Sequence, residues 1–501
     1  MNSTMTTTQG PRNDAARRIR KPLYLTTTLP YVNADPHIGF ALELVQADIY
    51  ARWRALNGAD VFFNTGTDEH GLKIYRKALE GGKEPQAYAD EYAAKFRSLK
   101  EKLNLYSDIH FIRTTDPRHV SAAQEFWRLC AKAGDIYKKK YKGLYCVGDE
   151  AFLKESDLVG GKCPNHPTME PIEIEEENYF FKLKKYEEDL LKYLSREGVI
   201  IPEWRRQEAI KFVQGGLEDF SISRDRSRLT WGVPVPGDET QTMYVWFDAL
   251  INYISTLGWP ALSEVEGPEN LFQKFWVNGE TLQLAGKDQV RFQSIMWQAM
   301  LISAGLPTTQ RIVYHGFITS GGQKMSKSLG NVIDPMAIVE EYGTDALRFF
   351  LARHVHPFED TDVTMEKFKE VYNADLANGL GNVVARVLTL AEMNLPAPIA
   401  RPAANSFTEE YTVALERFDY NAAADHIWGR IAALDAKLTS EKPFAVVKDD
   451  VERGRAIIAE CATELYVIGR MLQPIMPATS DAIKKAILAN KKPTNLFPRK
   501  E

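Results

Sequence analysis

Four cysteines in 501 residues, none of them paired as CxxC, leave no basis for a disulfide framework and suit a reducing compartment. No apolar run approaches the roughly 18 residues that a membrane-spanning helix needs, so a membrane protein is not expected. A secretory apolar core is missing as well, and so is any internal repeat. Residues 1–21 are polar, rich in Thr and Arg, and lack the apolar face of an organellar targeting peptide. They read as a disordered tail on a cytoplasmic protein. An excess of positive charge is also absent, with 62 Lys and Arg against 67 Asp and Glu, a net charge of -5. A nucleic-acid partner would therefore have to be met by a local basic face.

What is present is ordinary for a globular chain, with 44% hydrophobic and 26% charged residues. The length exceeds what one core supports, so several domains are expected. From Pro22 to about Ala133, short β-rich runs alternate with helical spacing, the pattern of parallel α/β units. Leu23 to Thr27 reads as a buried strand. Asp35 and Pro36 are placed to serve as N-cap and first residue of a helix bearing Ile38, Leu42, Val45, Ile49 and Trp53 on one face. Val61 to Phe63 reads as the next strand, followed by a helix that ends near Gly81 and Gly82. From Tyr141 to about Arg228 a Cys/His cluster and the acidic run Glu173 to Glu177 read as an insertion. The sheet is expected to resume at Tyr244 to Phe247 and at Arg311 to Tyr314. Beyond Glu370 the spacing predicts helices over 374–392, 409–439 and 452–471, with Pro396, Pro398 and Pro402 marking a linker.

Ligands of a doubly wound sheet bind at the carboxyl ends of its strands. Three polar clusters fall there: Pro36 to Phe40, Thr65 to Gly71, and Gly286-Lys287-Asp288. The first opens a helix, whose N-terminal amides and dipole favour phosphate. Gly39 lets a nucleotide come close to the backbone, and His37 can donate to phosphate oxygens. Further on, Gly321-Gly322-Gln323-Lys324-Met325-Ser326-Lys327-Ser328 sets two lysines and two serines on a glycine-hinged loop able to close on a triphosphate. It lacks Walker A spacing.

His37-Ile38-Gly39 and, far downstream, Lys324 to Ser328 resemble the paired signatures of the class I aminoacyl-tRNA synthetases. Thr28 to Asn33, Gly66 to Gly71, Tyr244 to Ala249 and Gly286 to Asp288 narrow the resemblance to the methionyl-tRNA synthetases, over nearly the whole chain from Pro22 to about Leu488. The resemblance implies an α/β fold. A Rossmann-type parallel-sheet catalytic domain (residues 22–140 and 231–330) is split by a connective insertion with a zinc-knuckle-like segment (141–230). A stem-contact linker (331–375) and a C-terminal α-helical anticodon-binding bundle (376–501) follow. It also implies ATP-dependent activation of L-methionine to methionyl-adenylate, with release of pyrophosphate, then transfer of the methionyl group to tRNA(Met). ATP with Mg2+ is the implied cofactor.

By match to the family's motifs, Lys327 would stabilise the transition state with Lys324 and His37 beside it. His37, Gly39, Phe40, Asp288, Lys324 and Lys327 would hold ATP. Asp68 would bind the substrate ammonium, a charge-assisted pair. Leu29, Tyr31, Trp246, Ala249, Tyr253, Gln293 and Trp297 would line the methionine pocket, where aromatic faces suit a thioether; the same aromatics, Trp297 among them, can also be read as plain core. Asn378, Asn382 and Arg386, at i, i+4 and i+8, would share the anticodon-reading face, with Phe444 stacking on a base. Cys146, Asp149, Cys163 and His166 have the spacing C-x-x-D…C-x-x-H, a donor set for structural zinc or a knuckle that has lost its metal. Five positions depart from the family pattern: Phe40 where most relatives have a second His, Gln293 where many have His, Gln289 in place of an apolar residue, Asp149 where the knuckle often has Cys, and Phe444 where relatives usually have Trp. The chain ends soon after the bundle, which reads as a monomer. Rival readings are an Ile, Leu or Val synthetase, for whose editing domain the insertion is too short, a small nucleotidyltransferase, and a catalytically impaired tRNA-binding paralogue.

Overall fold

A computed structural model describes residues 21–146, 151–153, 155, 158–164, 169–261, 270–325, 330–402 and 407–501. Asp149, His166, Ser326, Lys327 and Ser328 lie outside the described residues. The chain forms two compact units. One takes the residues up to Pro36, Gly58–Ser98 and Ser107–Tyr314; the other takes His37–Asn57, Leu99–Tyr106 and His315–Glu501.

The first unit is built on a six-stranded sheet of β1 (Leu23–Thr26), β2 (Val61–Thr67), β3 (Ile109–Arg113), β4 (Ile200–Ile201), β5 (Glu280–Gly286) and β6 (Arg311–His315), in the order β3-β2-β1-β5-β6-β4. Strand β1 runs parallel to β2 on one side and to β5 on the other, with Leu23 opposite both Val61 and Glu280. Every residue of β1, β2 and β5 is buried, as expected for strands covered on both faces. The strand order reverses at β1, so a ligand crevice opens beyond the carboxyl ends of β1, β2 and β5.

Three parts of this unit differ from the sequence reading. Strand β2 runs on to Thr67, past the Val61 to Phe63 that the apolar run suggests. Tyr244 to Phe247 is not a strand: Tyr244 is the extended N-cap of a helix, Val245–Leu250. A short apolar run does not separate a buried strand from a buried helix. Ile200 and Ile201, inside the segment read as an insertion, form the outer strand β4 beside β6. The acidic run lies on the strand Ile172–Phe181, antiparallel to the lysine-rich strand Ile136–Cys146. Lys142 pairs there with Glu173 at 2.5 Å, and Lys138 lies 3.9 Å from Glu177.

The second unit is helical, with a small sheet in which Ile318–Ser320 pairs with Gln323–Lys324 and with Thr361–Asp362. Helix α1 is Ile38–Leu56, α2 Thr344–Arg353, α3 Tyr420–Glu441 and α4 Val451–Met471. Asp48 on α1 and Arg348 on α2 meet at 2.6 Å with both side chains fully buried. The guanidinium also donates to the carbonyls of Leu103 (3.1 Å), Pro474 (2.8 Å) and Ile475 (2.8 Å). Asp48 in turn accepts from the Tyr106 amide (2.5 Å) and from Arg52 (2.7 Å). The stretches 103–106 and 474–475 are thus both fastened to the buried pair that joins α1 and α2.

The expected helix over 374–392 is two helices in series, a π-helix Tyr372–Gly381 and an α-helix Asn382–Asn394. The expected helix over 409–439 breaks at Phe418, which adopts φ +59, between Glu409–Glu416 and α3. Near the chain end, Tyr372 donates to the Pro498 carbonyl (3.0 Å), while Asn373 and Lys500 exchange hydrogen bonds at 2.8 and 2.9 Å. No helix of the described residues is long and apolar enough to cross a membrane.

Removing one partner of a buried ion pair strands the other, a loss of about 3–5 kcal/mol, whereas an exposed pair is worth up to about 1 kcal/mol. Arg348→Met should therefore lower unfolding stability by about 3–5 kcal/mol in urea, and Arg128→Met, whose pair with Glu125 is exposed, by under about 1. Equal losses would show that the Asp48–Arg348 pair is not what ties these helices together.

Candidate active site

In the first unit, the segments leaving β1 and β2 run side by side. The Asp68 amide donates to the Pro30 carbonyl (3.0 Å), the Val32 amide donates to the Asp68 carbonyl (3.2 Å), and Tyr31 bridges to Asp68. Asp68 and Leu29 are both buried there. The helix Val245–Leu250 and its continuation Asn252–Ser255 carry Trp246, Ala249 and Tyr253, one turn apart. The Trp246 ring lies flat on Phe292 with centroids 3.8 Å apart. Gln293 donates through Nε2 to the Tyr253 hydroxyl at 2.7 Å, and its buried Oε1 meets no partner among the described residues.

Trp297 has no exposed surface. It packs with Phe126 (5.6 Å), Tyr253 (5.9 Å) and Trp276 (6.2 Å), so in this structure it is a core residue behind Tyr253. Asp288, just past β5, is exposed and accepts from Gln289 at 3.0 Å.

Two charged networks that sequence reasoning missed hold this region. Glu69 accepts from Arg113 at 2.7 and 2.8 Å, from Thr67 at 2.6 Å and from Thr115 at 2.5 Å. Asp248 lies between His70 (2.6 Å) and His119 (2.8 Å). Burial alone would raise the pKa of Asp248, but the charge of His70 and hydrogen bonds from both imidazoles outweigh it and hold the carboxyl at about 2. Glu69, His70 and Asp248 all stand inside the motif stretches; only their partners, distant in sequence, were illegible.

In the second unit, α1 begins two residues later than the sequence suggests. His37 is its N-cap, accepting at Nδ1 from the Gly39 amide at 3.1 Å. Asp35 instead takes Lys95 at 2.7 Å. The Ile38 amide donates to the Ile333 carbonyl (3.1 Å), and the amides of Phe40 and Ala41 donate to the His37 carbonyl (3.0 and 3.3 Å). The first four amides of the helix are thus committed within the protein, and recognition of an anion falls to side chains. A Cβ on Gly39 would come within 2.9 Å of the His37 ring, so glycine is needed for the imidazole to lie there. The Phe40 ring packs on that imidazole, centroids 4.3 Å apart. Burial pushes the His37 pKa down to about 4. With Nδ1 accepting, the neutral ring carries its proton on Nε2.

Lys324 is exposed on the hairpin that turns through Gly321 (φ +63) and Gly322 (φ +71). Asp362 braces this turn, accepting from the Gly322 amide (2.8 Å) and the Thr319 hydroxyl (2.9 Å). His315, which leads into the hairpin, bonds Glu43 of α1 at 2.9 Å. Asn378 and Asn382 are exposed on consecutive helices, while Arg386 is tied to Asp435 and, at 3.5 Å, to Thr439. Phe444 is 52% exposed. Cys146 and Cys163 are buried.

A family model for the class I tRNA synthetases (M) matches residues 23–171 and 166–388. A Thermotoga maritima protein named methionine–tRNA ligase is 39% identical over 490 residues, covering 94% of this chain and 76% of its own length. The Brucella suis protein of the same name is 39% identical, with 93% and 91% covered. The Mycobacterium tuberculosis methionyl-tRNA synthetase solved in complex with methionyl-adenylate superimposes with a TM-score of 0.85 at 35% identity, covering 96% of this chain and all of that one. The chain belongs to the methionyl-tRNA synthetases.

That membership makes it an aminoacyl-tRNA ligase of class I and sets aside the Ile, Leu or Val synthetase and the small nucleotidyltransferase. It also gives Phe40 its meaning. The ring occupies the helix start beside His37 and presses on the imidazole that stays.

Because the unfolded chain takes up a proton on His37 near pH 6.5 and the folded one only near 4, stability from this group falls as pH drops through that window. In 15N-histidine spectra His37 should keep the Nε2–H neutral pattern from about pH 8 to about pH 5. A titration midpoint near the ordinary value would overturn the N-cap assignment of its tautomer.

Proposed function

We propose that Asp68 and the pocket aromatics bind L-methionine, and that His37, Asp288, Lys324 and Lys327 bind ATP. The observation that carries this reading is the pairing of a buried anion, Asp68, with an aromatic wall on one folded frame. Tyr31 bridges to Asp68, and the helix of Trp246, Ala249 and Tyr253 is anchored to the loop of Asp68 through His70 and Asp248. An ammonium and a thioether side chain match such a site.

In this reading a methionine carboxylate oxygen attacks the α-phosphorus of Mg-ATP, the bond to the β-phosphate breaks, and pyrophosphate leaves. A hydroxyl of the terminal ribose of tRNA(Met) then attacks the activated carbonyl and AMP departs. Asp68 holds the ammonium. Leu29, Tyr31, Trp246, Ala249 and Tyr253 line the side-chain pocket, with Gln293 and Trp297 fixing Tyr253 from behind. His37, a neutral Nε2–H donor near pH 7, binds phosphate without exchanging its proton, with Gly39 and Phe40 setting the ring. Asp288 accepts from the ribose. Lys324 and Lys327 balance the charge that develops on the phosphates, which is where most of the barrier reduction arises. Asn378, Asn382, Arg386 and Phe444 receive the anticodon. A structural zinc would take Cys146 and Cys163, both buried thiols suited to it, with Asp149 and His166 completing the set. No step of the reaction passes through it. The cysteine usage is the ground for placing the protein in the cytoplasm.

Pyrophosphate exchange with each amino acid in turn tests this reading: exchange with methionine alone is expected, and no exchange would favour the impaired tRNA-binding paralogue. Stacking on a base is worth about 1–3 kcal/mol. Phe444→Ala should therefore lower kcat/KM for tRNA charging about 5- to 150-fold and leave methionine exchange intact. Equal loss of both would remove Phe444 from the anticodon site.

A further inference from the structure

We propose that Asp248 is a positioning residue for the amino-acid substrate, setting the ammonium-binding carboxylate of Asp68 against the pocket wall of Trp246, Ala249 and Tyr253 through its bond to His70. The inference rests on the functional reading above and extends it to a group that does not touch substrate.

Asp248 is fully buried, and both of its oxygens are used. Oδ2 meets Nδ1 of His70 at 2.6 Å, and Oδ1 meets Nε2 of His119 at 2.8 Å. The other nitrogen of His119 reaches the hydroxyl of Ser255 at 2.9 Å, so His119 grips the helical run of Asp248 at a second point, two residues past Tyr253. Three segments meet at one carboxylate: the loop after β2, the helix Pro117–Lys132, and the run Val245–Ser255.

The placement of these bonds matters more than their number. His70 is two residues from Asp68, and the residue between them, Glu69, is itself locked to Arg113. The Trp231 indole donates to the Glu69 carbonyl at 2.6 Å, and the His70 ring packs edge-on to Trp231 at 5.5 Å. The Asp68 backbone is bridged to Tyr31 on its other side. The loop after β2 therefore has little freedom except along the direction that the His70–Asp248 bond closes. Trp246, Ala249 and Tyr253 ride on the helical run that carries Asp248, so this bond sets the span between anion and wall. A buried carboxylate is costly unless paired, and an apolar side chain would pack the same interior without that cost. Keeping the charge is useful where direction must be fixed, because misplacing a reacting group by about 1 Å can lose about 100-fold in rate.

The test is the initial rate of pyrophosphate exchange by the full chain, with methionine and ATP varied separately. Asp248→Asn keeps the volume but cannot accept from both imidazoles. It should raise the KM for methionine about tenfold or more and leave the KM for ATP within about twofold. Should Asp248→Asn not fold, His70→Leu breaks only the link to the Asp68 loop, leaving Asp248 with His119, and the same split is expected. His70→Gln, whose amide can still donate to Asp248, should bring the KM for methionine back to within about threefold of the wild type. Variants that lower the melting temperature or kcat with the methionine KM unchanged, or that raise both KM values alike, would overturn the proposal in favour of a merely structural carboxylate. A wild-type chain without methionine-dependent exchange would overturn the functional reading, and this inference with it.

Discussion

A carboxylate taken out of water must be met inside the protein by donors that replace its hydration, and each unit of this chain contains such a group. Asp48 is met by Arg348, Arg52 and the Tyr106 amide; Asp248 is met by two imidazoles. Apart from Arg52, the partners come from segments far apart in sequence, because donors on neighbouring residues alone cannot surround a buried group from several sides. Satisfying one charge therefore fixes the relative placement of several elements at once. In the helical unit the result is a frame for α1 and hence for His37. In the α/β unit the result is a frame for the loop of Asp68.

How much of this was legible in the sequence follows from the range of each interaction. Leu23–Thr26 and the first three residues of Val61–Thr67 were readable because burial on both faces writes itself as a short apolar run, whereas Asn64 to Thr67, which continue the strand, are polar or glycine and gave no such signal. The same signal misled at Tyr244 to Phe247, where an equally apolar run is a helix that Asp248 and Tyr244 help to define. Ile200 and Ile201 are too short a stretch to announce a strand; they pair with β6 only because the chain returns to the sheet edge. The break at Phe418 had no proline or glycine to mark it, since an ordinary residue there takes a positive φ.

The candidate site was legible in its members and not in its wiring. Asp68, His37, Lys324 and the pocket aromatics stand in local motifs. The commitment of the helix-start amides to His37 and Ile333, the burial of Trp297 behind Tyr253, and the two buried carboxylate networks each depend on partners that only the fold brings near. The N-cap is instructive. Asp and Pro at 35 and 36 fit the usual preferences, yet the imidazole two residues later caps the helix and in doing so settles its own protonation.

The π-helix Tyr372–Gly381 holds more residues per turn than the α-helix that continues it at Asn382. Its length in residues is therefore a phase setting. Deleting a single residue from that stretch would change the angle at which everything downstream leaves it, by up to about 100°. The bond of Arg386 to Asp435 would then be lost. The count of residues in this short segment is thus constrained apart from their identity, and it should resist insertions and deletions.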